Sequence, residues 1–123
     1  MKKALTIAAI VVLTVIVIKH ITIRLSKKSI YMIINFKHRG LERYFTNSDH
    51  RGIPALHLSK INRQLDRLDA ATKADDMNIP GWDFHRLKGK RKNEFAVTVY
   101  KNWRITFEFK DDNAINVNLE DYH

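Results

Sequence analysis

The feature that most constrains this chain is a change of hydrophobic period at Pro80-Gly81. Beyond that point the side chains alternate. Phe95, Val97 and Val99 interleave with Ala96 and Thr98, and Trp103, Ile105, Phe107 and Phe109 interleave with Arg104, Thr106 and Glu108. Ile115, Val117 and Leu119 then interleave with Asn116 and Asn118. Tyr100-Lys101-Asn102 and Asp111-Asp112-Asn113 are the length and composition of tight turns, so the pattern predicts an antiparallel meander. Before Pro80 the period is helical. Leu58, Ile61, Leu65 and Leu68 recur at three and four, which predicts a helix from near Ile53, with Pro54 in its first turn, to about Thr72. A short strand, Met32–Phe36, and a one- to two-turn helix around Leu41–Phe45 come first, and residues 73–81 read as a polar loop. Helices followed by a meander give an α+β fold, two N-terminal helices packed on one face of a small antiparallel sheet.

Charge divides the chain. Its formal net charge is +9, but residues 1–31 hold six basic and no acidic side chains, leaving 16 basic and 13 acidic residues for 32–123. The folded part is therefore only mildly basic. Within residues 1–31, Ala4 to Ile18 is an uncharged run closed by Lys19-His20. At about 1.5 Å per residue it spans roughly 22 Å as a helix, short of a ~30 Å hydrocarbon core. Three readings compete: a secretory signal, an inner-membrane anchor through residues 4–18, or upstream sequence before a true start at Met32. We favour the last, with 1–31 an extension and 32–123 the domain. No clear small-x-small cleavage site follows Ile18.

There is no cysteine, so disulfides, thiolate nucleophiles and Cys-based metal sites are excluded. Walker, GxGxxG, HExxH and GxSxG motifs are missing as well. Two clusters remain. One is His85 in the basic run Trp82-Asp83-Phe84-His85-Arg86-Leu87-Lys88-Gly89-Lys90-Arg91; the other is the terminal Glu120-Asp121-Tyr122-His123. An extended end would project Asp121 and His123 to one side and Tyr122 to the other. Histidines beside cations and a carboxylate suit RNA phosphodiester cleavage, in which protons leave the 2′-OH and reach the departing 5′-oxygen while charge grows on phosphate. The bland readings are a surface histidine, a polar tail and, for Lys60, Arg63 and Arg67 on the long helix, a solvated face. Arg104 is expected to pair across strands with Glu108 or Glu94. No ligand spacing argues for a metal site, and no cofactor is expected.

Taken together, the residues resemble a known family. Met32-Ile33-Ile34-Asn35-Phe36-Lys37-His38-Arg39-Gly40-Leu41-Glu42, Met77-Asn78-Ile79-Pro80-Gly81-Trp82, His85-Arg86-Leu87-Lys88-Gly89, Asn102-Trp103-Arg104-Ile105-Thr106-Phe107 and Glu120-Asp121-Tyr122-His123 are similar to the HigB toxins of bacterial type II toxin–antitoxin systems, in the RelE/ParE superfamily. The resemblance begins at Met32, which is why that start is favoured. It implies a ribosome-dependent endoribonuclease, an mRNA interferase cutting A-site codons in the cytoplasm without a metal. It also implies neutralisation by a HigA-type helix-turn-helix antitoxin whose complex represses its own operator DNA. The family's catalytic positions fall on His85, Asp121, Tyr122 and His123. His85 and His123 would move protons, Asp121 would orient a histidine, and Tyr122 would stack on a base or position the phosphate. Lys88, Lys90, Arg91, Arg104, Lys60, Arg63 and Arg67 are the expected RNA and phosphate contacts. Many relatives have Pro at the position of Arg86 and an aromatic residue at that of Leu119. Two rival functions are a non-enzymatic gyrase inhibitor of the ParE type and a membrane-anchored binding protein.

Overall fold

Strand order in the sheet follows chain order, as a meander requires, with every neighbouring pair antiparallel. The computed structural model describes residues 32–122; Ala4–Ile18 and His123 lie outside the described residues. The elements are α1 (Arg39–Asn47), α2 (Leu58–Ala70), β1 (His85–Arg86), β2 (Phe95–Tyr100), β3 (Trp103–Lys110) and β4 (Asn113–Asp121). Short 3-10 turns occupy Ala55–His57, Ala74–Met77 and Gly89–Arg91. Among the described residues no helix is long and apolar enough to cross a membrane.

The expected fold class is realised, with local corrections. The expected strand at Met32–Phe36 is an extended segment that runs parallel to β4 through bridges Ile33–Ala114 and Phe36–Val117, so it covers the outer edge of the meander. Ile33 N donates to the buried Asp69 carboxylate on α2 (3.1 Å), which fastens this segment to the long helix. That helix starts at Leu58 rather than near Ile53. Pro54 is extended (φ −58°, ψ 120°) and disfavours helical backbone at the residue before it, so a 3-10 turn intervenes. The loop over 73–81 contains the turn Ala74–Met77, closed by the Asp76 carboxylate, which accepts from the backbone N–H of Thr72 (2.9 Å) and Lys73 (3.3 Å).

One face of the sheet meets the helices. Leu41 of α1 and Ile61, Leu65 and Leu68 of α2 pack in one core with Val97, Val99, Ile105, Phe107, Val117 and Leu119. The buried Gln64 fixes α2 against β2 by donating Nε2 to the Thr98 carbonyl (2.9 Å). The inward set on β4 is Ala114, Val117 and Leu119, not the Ile115, Val117 and Leu119 of simple alternation. Asn116 takes a left-handed backbone (φ 54°), and the β3–β4 register shifts there, the signature of a bulge. Elsewhere, Gly40 on α1 lies against Gly52; a Cβ at Gly40 would come within 2.8 Å of the Gly52 carbonyl, so this crossing needs glycine.

Candidate active site

Residues on alternate positions of the strands reach the sheet face opposite the helices. His85 is paired with Ala96 and Arg104 with both Thr98 and Glu120, which puts the His85 and Arg104 side chains on that face. Tyr122, two residues beyond Glu120, has the same orientation, and its N–H donates to the Asn102 carbonyl (2.9 Å) as the strand ends. The loop after β1 folds back, Leu87 N donating to Glu94 O (2.9 Å), and carries Lys88 and Arg91 over the same face. The result is a pocket of about 340 Å³ lined by His85, Arg86, Leu87, Lys88, Arg91, Arg104 and Tyr122.

The histidine ring is held in one orientation. Asp83 takes a left-handed backbone (φ 48°), which aspartate tolerates, and its carbonyl accepts from His85 Nδ1–H at 2.8 Å. A carbonyl can only accept, so in the neutral ring the lone pair sits on Nε2. The cations form a bonded set. Arg91 donates Nε and Nη2 to the two Glu94 oxygens (2.7 and 2.8 Å), and its Nη1 lies 2.9 Å from Glu120 Oε1. Arg104 Nε donates to that same Glu120 oxygen (3.3 Å), and its guanidinium carbon stands 3.4 Å from the centre of the Tyr122 ring. These bonds hold the Glu94 carboxyl below its ordinary range, chiefly through Arg91, and raise the Arg91 guanidinium above its own, chiefly through Glu94 and then Glu120.

Not every expected residue joins this pocket. Asp121 does not line it; the residue is in register with Trp103 and, with His57, Tyr100 and Trp103, lines a separate cavity of about 280 Å³. Arg86, which lines the pocket without having been an expected contact, shares its strand face with Phe95, its guanidinium carbon 5.0 Å from that ring. Lys90 is exposed on the turn Gly89–Arg91. Lys60, Arg63 and Arg67 ride on α2, whose buried stripe packs on the opposite face, and Arg67 Nε donates to the Asp76 carbonyl (2.6 Å). The expected partners of Arg104 are corrected: Glu108 accepts from Asn116 Nδ2 (2.8 Å), Glu94 belongs to Arg91, and Arg104 bonds Glu120. Glu120 is the residue the sequence reading left without a task. Among the described residues no three His, Asp or Glu side chains form a group able to hold a metal ion.

Helices on one side of a meander, with an imidazole, a phenol and clustered cations on the other, define a small α+β protein organised around one cationic pocket. Residues 34–123 match the model of the RelE-like toxin of type II toxin-antitoxin system HigB. The chain is similar to the endoribonuclease HigB of Proteus vulgaris, 41% identical over 92 residues that cover 75% of this chain and 100% of that one. It is also similar to toxin HigB-1 of Vibrio cholerae serotype O1, 34% identical over 91 residues, 72% of this chain and 96% of that one. The chain belongs to the HigB-like toxin family, and a type II system pairs such a toxin with an antitoxin.

Proposed function

We propose that residues 32–123 form a ribosome-dependent endoribonuclease that cuts mRNA in the A site and so arrests translation in the cytoplasm. The observation that carries this reading is the pocket shared by His85 and Tyr122 with Lys88, Arg91 and Arg104. The similarity to a protein named endoribonuclease supports it.

In the proposed reaction, His85 Nε2 takes the proton of a 2′-OH, the 2′-oxygen attacks phosphorus, and the bond from phosphorus to O5′ breaks. The products are a 2′,3′-cyclic phosphate and a 5′-OH, the departing oxygen taking its proton from His123. Lys88 and Arg104 offset the charge that grows on the phosphate, and no metal takes part. Tyr122 stacks on a base. Asp121, which lines the separate cavity, keeps the proposed role of orienting a histidine. Lys60, Arg63, Arg67 and Lys90, outside the pocket, are assigned to ribosomal RNA. A HigA-type helix-turn-helix antitoxin is the proposed partner, with operator DNA bound through it.

Deleting Asp121, Tyr122 and His123 tests the site. Primer extension on cellular mRNA after induction should show codon-aligned cuts with the full chain and none with the truncation, while circular dichroism of the truncated protein stays that of a folded domain. A truncation that still cuts and stays toxic would remove the chain end from the mechanism. Growth arrest without any cuts would instead favour the gyrase-inhibitor reading.

A further inference from the structure

A carboxylate bonded to two of the arginines that line a phosphate-binding pocket works against the binding of its substrate, so Glu120 calls for an explanation. Its side chain is 22% exposed and those of the two arginines it joins 39% (Arg91) and 8% (Arg104). The nearly buried Arg104 is the informative partner. A guanidinium withdrawn from water needs a hydrogen-bonded counter-charge to hold one orientation, and among the described residues Arg104 has one in the Glu120 oxygen at its Nε, the same oxygen that Arg91 holds from the other side. The Arg104 plane in turn carries the Tyr122 ring, 3.4 Å away, although Tyr122 is 54% exposed and sits where the strand has already ended. The contacts therefore run in series from Arg91 through Glu120 and Arg104 to Tyr122.

We infer that Glu120 is a positioning residue of this pocket: its carboxylate, held between the guanidinium groups of Arg91 and Arg104, fixes Arg104 Nε and so sets the guanidinium plane on which Tyr122 stacks. The inference rests on the nuclease reading above for its kinetic consequence, but its geometric part stands separately. It separates two effects that usually move together. Removing the carboxylate makes the pocket more positive, so RNA binds as well or better. The same change frees Arg104 and with it Tyr122, so the chemical step slows.

The test is Glu120→Ala in the full chain, assayed for cleavage of mRNA on programmed ribosomes, with Glu120→Gln beside it. For Glu120→Ala, kcat should fall about tenfold or more while KM is unchanged or lower. Glu120→Gln, which keeps an acceptor for Arg104 Nε without the charge, should recover part of kcat. In parallel, NMR of the Arg104 Nε–H, assigned by its loss in Arg104→Lys, should show slow solvent exchange in the wild type and fast exchange in Glu120→Ala. Should Glu120→Ala fail to fold, Glu120→Gln has the same shape and is expected to show an intermediate kcat with lowered KM. A kcat within twofold of wild type in both variants, a rise in kcat, or unchanged Arg104 exchange would overturn the inference. If the wild type cuts no RNA, the nuclease reading fails, whereas the exchange measurement still decides whether Glu120 holds Arg104.

Discussion

At the scale of single residues, two histidines show how backbone contacts decide what an imidazole can do. His85 gives its Nδ1–H to Asp83, which leaves Nε2 as the acceptor of the neutral ring. His38 does the reverse: its Nδ1 accepts from Leu41 N–H (3.0 Å) and caps α1, a role that requires the neutral ring. Burial is the main cause that lowers the His38 pKa below its ordinary 6.5, and the positive Arg43 adds to it. The unfolded chain therefore binds this proton more readily than the folded one. The stabilising contribution is complete above pH 6.5 and is lost as pH falls through the lower folded value. Because the ring is only half-buried, the effect should be modest, on the order of a few tenths of a kcal/mol. Chemical denaturation of wild type and His38→Asn between pH 7.5 and about 5 should show a decline that the asparagine cap, which does not titrate, removes. An identical pH dependence in both would assign the decline to other groups. His85, Lys88 and Tyr122 were legible as functional candidates because their side-chain types announce them. The bonded partner of Arg104 was not, because a cross-strand pair depends on register.

Register belongs to the elements, and here a single bulge decides it. On β4, Glu108 faces Ile115 before Asn116, and Thr106 faces Asn118 after it, one residue out of step. Without that insertion Arg104 would face Leu119, and Glu120 would face Trp103 on the helix side of the sheet. The left-handed backbone of Asn116 thus places Glu120 against Arg91 and Arg104, two of the residues that line the pocket. Nothing in an alternating pattern of Ile115, Val117 and Leu119 reveals it, although asparagine is a residue type that accepts such a conformation. The same reasoning applies to turns. Asp111 and Asp112 both take positive φ (52° and 65°), as the mirror-image hairpin turn demands, and the sequence signalled this turn well. In the preceding hairpin it is Lys101 that takes positive φ (49°), a strained conformation for a lysine. Lys101→Gly should relieve about 1 kcal/mol and raise the thermal midpoint by several degrees in calorimetry. A lower midpoint would mean that the contact of Lys101 with the Tyr100 ring matters more than the backbone.

Residues 32–122 build a two-sided domain: α1 and α2 cover one face of the sheet, and the other carries the pocket. This division was readable from the change of period, since helices preceding a meander have one face to cover. Within the terminal cluster, strand parity separates Asp121 from Tyr122, while His123 lies outside the described residues. Where the sequence left its question open is at residues 1–31. The family match covers residues 34–123, and 92 residues of this chain cover the whole of the Proteus vulgaris relative. Expression of Met32–His123 alone should therefore arrest growth as strongly as the full chain, measured as colony-forming units after induction. Loss of toxicity in a folded Met32–His123 would give the N-terminal segment a working role.

The chemistry of the RNA ends that the purified protein makes on programmed ribosomes decides whether His85 works as the base of a transesterification. On intact ribosomes we expect 2′,3′-cyclic phosphate and 5′-OH termini with wild type, and at least about a hundredfold slower cleavage with His85→Ala. Ends bearing a 5′-phosphate, or a His85→Ala variant that cuts at the wild-type rate, would contradict it.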